Sequence, residues 1–220
     1  MTPLRSSLFV LGLLATFVAG CQPEESPPPP SISEARTGAN GSTVTIEGFV
    51  SVAPGTFVSA MGDEGFAVQD ASGGIYVKVA RKPDFGLGSK VRVTGTLGEQ
   101  NQLRILTAEP ASVEHHPGSQ PVAPKEVSTG GVNESVEGSL VKVTGTLTQT
   151  FQDDSPYGYK LYLNDGSGEV QVFVHVSAGF DKEALRALTA GQRLTVTGLA
   201  AQYETTYEVA PRQPSDLVAQ

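Results

Sequence analysis

One strand-and-turn pattern is written twice in this chain, and that duplication limits the folds open to it. The first copy runs Val44-Thr-Ile-Glu-Gly48, Phe66-Ala-Val-Gln-Asp70-Ala-Ser-Gly-Gly74-Ile-Tyr-Val-Lys-Val79 and Gly88-Ser-Lys-Val-Arg-Val-Thr-Gly95. The second runs Val141-Lys-Val-Thr-Gly145, Leu161-Tyr-Leu-Asn-Asp165-Gly-Ser-Gly-Glu169-Val-Gln-Val-Phe-Val174 and Gly191-Gln-Arg-Leu-Thr-Val-Thr-Gly198. The landmarks Gly48/Gly145, Asp70/Asp165 and Gly95/Gly198 lie 97, 95 and 103 residues apart, so the copies differ only where loops absorb insertions. A repeat this long, in constant order, means two copies of one small domain.

Within each copy apolar and polar residues alternate with period two, the mark of half-buried strands. Each copy offers about five strands, with a connection before the last hairpin. In the second copy that connection is Phe180-Asp-Lys-Glu-Ala-Leu-Arg-Ala-Leu188. Phe180, Ala184, Leu185 and Leu188 fall on one helical face and Gly191 follows as a stop. The first copy has Arg81-Lys-Pro83-Asp-Phe-Gly86-Leu-Gly88 there, whose Pro and Gly leave room only for a turn. Three strands, a helix and two strands is the order of the oligonucleotide/oligosaccharide-binding (OB) fold. The expectation is an all-β chain of two tandem five-stranded Greek-key OB barrels, with a short helix between strands three and four of the second. Gly48, Gly95, Gly145 and Gly198 would supply the bends that close each barrel.

Upstream of the repeat, Arg5 precedes an apolar run from Leu8 to Ala19 and then Gly20-Cys21. That run is too short to span a bilayer and has the layout of a secretory signal. Val18-Ala19-Gly20-Cys21 resembles the bacterial lipobox. The resemblance implies cleavage before Cys21, acylation of this single cysteine, and anchoring by its acyl chains. Gln22 after the cysteine implies the outer membrane if the source is Gram-negative. Pro27 to Pro30 belong to an extended spacer. The expected organisation is a signal peptide over 1–20, a lipidated Cys and Pro-rich tether over 21–41, a first domain over 42–114, a linker over 115–135 and a second domain over 136–220.

The run Gly65-Phe-Ala-Val-Gln-Asp70-Ala-Ser-Gly-Gly-Ile-Tyr-Val77, followed by Gly88 to Thr96, is similar to bacterial secreted OB-fold modules, as is the phrase Thr129 to Val143. Such modules accompany extracellular nucleases and also occur in stand-alone lipoproteins. The resemblance covers roughly residues 42–219 and implies the fold more strongly than any ligand.

The hairpins allow a register argument. Four-residue turns at Ala71–Gly74 and Gly166–Glu169 would oppose Val68 to Val77 and Leu163 to Val172, both inside the barrels. The outer face of strands two and three, where OB folds engage ligand, would then pair Gln69 with Tyr76 and Ala67 with Lys78. In copy two it would pair Tyr162 with Phe173, Lys160 with His175, and Asn164 with Gln171. Candidate ligand-binding residues are therefore Tyr76, Lys78, Lys160, Tyr162, Phe173 and His175. Aromatics accept bases or sugar rings and cations hold phosphate; the same aromatics are equally ordinary cross-strand pairs. Arg81, Lys82, Lys90 and Arg92 form a basic patch, with edge solubilisation as its plainer role.

Charge counts against a bulk polyanion binder, since 15 basic residues face 23 acidic ones for a net -8. Removing residues 1–20 takes away Arg5 and leaves 14 basic against 23 acidic groups. His115-His116 sits in the expected linker without convergent partners, and no catalytic, metal or cofactor motif is evident. The turns Asp70-Ala-Ser-Gly-Gly and Asp165-Gly-Ser-Gly lack the carboxylate spacing of a calcium loop and suit turn chemistry. The sequence thus predicts a non-catalytic, lipid-anchored binding protein for single-stranded nucleic acid. The alternative is an envelope interaction or structural protein that takes saccharide or protein through its OB faces.

Overall fold

The computed structural model describes residues 28–220; the expected signal peptide and acylation site at Cys21 lie outside the described residues. Two closed five-stranded barrels follow one another. The first is built from β1 (Thr43–Val52), β2 (Phe66–Gln69), β3 (Gly74–Lys78), β4 (Ser89–Gln100) and β5 (Leu103–Thr107), in the order β1-β2-β3-β5-β4 with β1 closing on β4. A further strand, β6 (Val113–Ser119), adds to β4. The second barrel follows β7 (Lys125–Glu126) and is built from β8 (Leu140–Leu147), β10 (Gly158–Asn164), β11 (Glu169–His175), β12 (Arg193–Tyr203) and β13 (Thr206–Ala210). Its order is β8-β10-β11-β13-β12, closed by β12 on β8. Short strands β9 (Gln152–Asp154) and β14 (Leu217–Ala219) pair with β10 and β12. The parallel pairs β3–β5 and β11–β13 occupy matching places in the two copies. These are two tandem OB folds.

Alternation along the strands fills each barrel. Ile46, Phe66, Val68, Ile75, Val77, Val91, Val93 and Leu106 pack the first; Val141, Val143, Leu161, Leu163, Val172, Leu194, Val196 and Val209 pack the second. The long strands pass so close to their neighbours that a Cβ at Gly95 would lie 2.5 Å from the Thr107 carbonyl oxygen. At Gly198 the same contact would be with the Ala210 carbonyl oxygen, again at 2.5 Å. The expected helix of copy two is α3 (Lys182–Arg186), capped by Asp181, which accepts from the amides of Glu183 and Ala184. Leu185 plugs the barrel end and Phe180 and Leu188 flank it. In copy one no helix forms between β3 and β4, and Phe85 packs edge-on to Phe66 in that place.

Three expectations are corrected. The tether does not extend to residue 41, because α1 (Ile32–Arg36) docks on barrel one with Ile32 fully buried in its core. The linker also shrinks. Val113–Ser119 is a strand of barrel one that carries His115 and His116, while Val132 and Val136 belong to the core of barrel two. The hairpin register differs by two residues: Ala67 opposes Tyr76, Val68 opposes Ile75 and Gln69 opposes Gly74. In copy two Lys160 opposes Phe173, Tyr162 opposes Gln171 and Gly158 opposes His175. A two-residue shift leaves every side chain on its expected face.

The cause of the shift is also the cause of the new boundary. Asp70 leaves the strand and folds back on its own turn, accepting from the Ser72 and Gly73 amides at 2.7 and 3.0 Å. Its other oxygen accepts from the Ile32 amide at 2.9 Å, and the Ser72 hydroxyl accepts from the Ser33 amide at 3.0 Å. Copy two repeats the device. Asp165 accepts from the Ser167 amide at 2.9 Å and the Thr129 amide at 3.1 Å, and Ser167 Oγ accepts from the Gly130 amide at 2.8 Å. Each Asp-x-Ser turn therefore captures the chain segment that leads into its own barrel. Thr45–Thr94 and Thr144–Thr195 hydroxyl pairs, each 2.8 Å, repeat as well.

Since Ile32 is a core side chain, Ile32→Ala is expected to destabilise the protein by about 2–5 kcal/mol, as for large-to-small core changes generally. Urea unfolding checks this; a change within the error of exposed Glu34→Ala would mean that residues 31–37 are tether after all.

Candidate functional site

In barrel one the outer face of strands two and three does not meet solvent, because it packs against the fourth and fifth strands of barrel two. Val52, Phe57, Ala67, Tyr76, Leu103 and Ile105 of barrel one meet Leu199, Ala201 and Ala210 of barrel two in one buried cluster. Polar contacts ring it. Arg212 Nη1 donates to the Ser51 carbonyl at 2.8 Å while its guanidinium also holds Asp216. The Leu140 amide donates to Gln69 Oε1 at 2.7 Å. Glu137, buried, accepts from Arg36 Nη2 at 2.8 Å and from the Arg104 amide at 3.1 Å. The Glu204 amide donates to the Asn101 carbonyl at 2.7 Å. Ser177 Oγ donates to the Thr56 carbonyl at 2.8 Å, from the loop that leads to α2 (Val58–Met61). Ser59 on α2 donates to the Tyr157 carbonyl at 2.7 Å.

Where this packing is incomplete it leaves a cleft of about 640 Å³ between the barrels. Of the candidate ligand-binding residues, Tyr76, Lys160, Phe173 and His175 come together on its walls. Lys78 and Tyr162 stand behind it. Lys78 Nζ donates to Gln100 Oε1 at 2.6 Å, and the Tyr162 hydroxyl donates to Gln171 Oε1 at 3.2 Å; both glutamines line the cleft. The aromatic face, which the sequence left either open or packed, is largely covered. Tyr76 is fully buried and donates its hydroxyl to Asp63 Oδ1 at 2.8 Å, and Phe173 and His175 are also buried. His175 is stacked on Phe57 of barrel one, centroids 4.4 Å apart, with Phe173 edge-on at 4.9 Å.

The basic patch does not reach the cleft. Lys90 Nζ is 2.6 Å from Glu47 Oε1, and Arg92 lies in register between Glu47 and Glu114 on the outer face of β1, β4 and β6. Arg81 and Lys82 are exposed on the β3–β4 connection. Carboxylates beside Lys90 and Arg92 thus offset half of what was a cluster along the sequence.

The sequence reading missed Tyr157, Tyr203, Gln171 as a site residue and Glu208, all of which line the cleft. Tyr157 and Tyr203 are each 54% exposed at the cleft rim. Gln171 and Glu208 are direct partners in the parallel β11–β13 ladder, where copy one has Tyr76 and Ile105. The contrast between the copies was the available signal: an apolar pair in one and a polar pair in the other.

No family model matches the chain. A relative is "Endonuclease YhcR" of Bacillus subtilis (strain 168), 24% identical over 196 residues, covering 85% of this chain and 16% of that protein. The chain therefore spans about one sixth of that relative's length. Similar solved structures include the S. pombe Stn1-Ten1 complex, with TM-score 0.32, 17% identity, 37% of this chain and 57% of that one. An OBody bound to hen egg-white lysozyme gives TM-score 0.35, 18% identity, 44% of this chain and 96% of that one. The chain is thus similar in sequence to a part of a nuclease.

Burial governs the electrostatics. Desolvation raises the carboxyl of Glu208 to about 7, against the pull of the Gln171 hydrogen bond and of Lys160. Desolvation lowers His175 to about 3. Burial also raises Asp63 in spite of the Tyr76 and Gly65 hydrogen bonds, and the Tyr76 hydroxyl is pushed up in turn. Lys160 Nζ is 2.9 Å from Asp154 Oδ2, and that hydrogen bond raises the lysine.

These shifts fix the sign of a pH dependence. As pH rises from about 4.5 to about 7 the unfolded chain ionises Glu208 before the folded one does, so stability falls, by at most about 3 kcal/mol. His175 acts oppositely: its contribution is complete above about 6.5 and is lost as pH falls towards 3. Glu208→Gln is expected to be more stable than wild type at pH 8, by roughly 1–3 kcal/mol, and indistinguishable from it at pH 4. Urea unfolding at both pH values checks this, and equal differences at the two would refute it.

Proposed function

We propose that the protein is a non-catalytic binding protein of the cell envelope, held there through acylated Cys21, and that its ligand is a short uncharged saccharide seated in the inter-barrel cleft. The observation that carries the reading is the composition of that cleft. Tyr157 and Tyr203 offer exposed rings at the rim, and Gln100, Asn101, Gln171 and Gln202 offer amides. Sugars match such walls by stacking their C–H faces on aromatic rings and bonding their hydroxyls to amides and carboxyls. The cation in the cleft, Lys160, is already paired with Asp154, while Glu204 and Glu208 add acidic groups. A phosphate backbone finds no unpaired cation there.

A second reading, single-stranded nucleic acid, is favoured by one observation. The relative whose sequence matches 85% of this chain is named an endonuclease. On that reading the module would present oligonucleotide, stacked on the same aromatic rim.

Isothermal titration separates the two. A neutral trisaccharide should bind with little salt dependence, and Tyr203→Ala, on the exposed rim, should weaken it about tenfold, or about 1.4 kcal/mol. Binding of a labelled (dT)8 that weakens steeply with salt, with no saccharide binding, would replace the saccharide reading. For the anchor, Cys21→Ala should move the protein from the membrane to the soluble fraction; retention with membranes would sink that part of the proposal.

A further inference from the structure

The cleft changes character along its length, and the parallel β11–β13 ladder sets the direction. At one end Gln171 pairs with Glu208, near the β12–β13 hairpin. Gln202, Glu204 and Thr206 line the cleft there, beside Asn101 of barrel one. Along β11, Gln171 and His175 share a face and lie about 13 Å apart, four residues of strand. His175 ends the strand stacked on Phe57, the residue before α2. α2 reads Val58-Ser-Ala-Met61 and carries no charge. Ala60 and Met61 line this end of the cleft, Ala60 is exposed, and Val58 is 36% exposed.

Barrel two adds apolar side chains to the same end. Ser59 Oγ and the Val176 amide both donate to the Tyr157 carbonyl, at 2.7 and 3.2 Å, and the Ser59 amide donates to Ser177 Oγ at 3.1 Å. Val58, Tyr157 and Val176 are therefore neighbours across the seam between the barrels. Val176 is 39% exposed, and Tyr157 is exposed as well. Among the described residues the other exposed large apolar side chains are Tyr203, at the polar end of the same cleft, Leu87 on the β3–β4 connection and Val218 on β14. The one polar side chain of α2, Ser59, is already engaged by the Tyr157 carbonyl. The patch thus presents apolar surface with no polar partner to offer, and it shares Ala60 and Tyr157 with the cleft.

We infer that the ligand is an amphiphile: a short saccharide with an apolar chain at its reducing end, its sugars in the cleft and its chain over α2 on Val58, Ala60, Tyr157 and Val176. The inference rests on the saccharide reading of the cleft and adds to it the apolar part of the ligand and its orientation. Exposed apolar side chains gathered in one place mark a binding surface, whereas scattered ones do not. The polar half of this surface is recessed between the barrels in about 640 Å³, the size of a small-molecule site. A flat protein partner would cover the patch and leave that recess unfilled. An alkyl chain laid on the patch removes apolar surface of both molecules from water, while the sugar hydroxyls stay with the amides at the other end.

The test is calorimetric titration of the full chain, carrying Cys21→Ala so that no acyl chain of its own competes for the patch. The probes are maltotriose, its n-octyl β-glycoside below the micelle concentration, and 1-octanol. The octyl glycoside should bind at least tenfold tighter than maltotriose, which burial of about two methylenes supplies. Octanol should bind far more weakly than the glycoside. Val58→Ser combined with Val176→Ser should bring the glycoside down to the affinity of maltotriose and leave maltotriose unchanged. Both positions are exposed, and urea unfolding confirms that the double variant is folded when compared. Equal binding of maltotriose and its octyl glycoside would overturn the inference while leaving the cleft as a saccharide site. Retention of the octyl advantage in the double variant would place the chain on another surface and overturn it too. Octanol binding as tightly as the glycoside would do the same, since the sugar would then contribute nothing. Failure of both sugars to bind would overturn the inference and the saccharide reading together.

Discussion

The contact between the two barrels determines what each of them can do. An OB barrel left alone would expose the outer face of its second and third strands. Here Ala67 and Tyr76 on that face of barrel one are buried against Leu199, Ala201 and Ala210 of barrel two. Apolar burial supplies the drive, and it is non-directional. The direction comes from the polar ring, in which Glu137, Arg212, Gln69 and Asn101 each reach a group on the other barrel. Glu137 is the most constrained of these. It is a buried carboxylate whose pKa burial raises, kept in place by Arg36 and the Arg104 amide together. Breaking such a buried pair costs more than the pair contributes when whole, so it penalises other arrangements of the barrels.

Much of the fold was legible because it is written in periodicity. Alternation gave the strands and their inward faces, the spacing of Phe180, Ala184, Leu185 and Leu188 with the Gly191 stop gave the helix, and the repeated glycines marked close strand crossings. The register was missed by two residues because Asp70 and Asp165 look like strand ends along the chain. Their carboxylates close the turn and reach across to Ile32 and Thr129, distant in sequence. That long-range capture also hid the true start of each domain. Proline-rich sequence announced a tether, and nothing local in Ser31-Ile32-Ser33 says that Ile32 fills a barrel.

The site was legible only in part. Phe173, His175, Tyr76 and Lys160 were found from strand parity, since parity survives a two-residue slip. Their burial was not, because exposure depends on what covers a face, and a second domain covers this one. The same blindness made Arg81, Lys82, Lys90 and Arg92 look like a patch. Along the chain they are neighbours; across the sheet Lys90 and Arg92 stand beside Glu47 and Glu114. Nearness in sequence counts cations, whereas nearness in the sheet counts net charge.

Duplication explains how one face came to close the interface and its twin to wall the cleft. At equivalent places in the parallel ladders, copy one carries Tyr76 and Ile105, and copy two carries Gln171 and Glu208. The apolar pair closes the interface. Had copy two kept the same pair, two apolar faces would meet without polar groups to orient a guest. With Gln171 and Glu208 in their place, a carboxyl and an amide are held on a rigid strand pair, at the edge of an apolar cluster contributed largely by the other barrel. Polar groups pre-set in this way need little reordering on binding. The price is a carboxyl kept in a poorly solvated place, and its raised pKa is the measure of that strain.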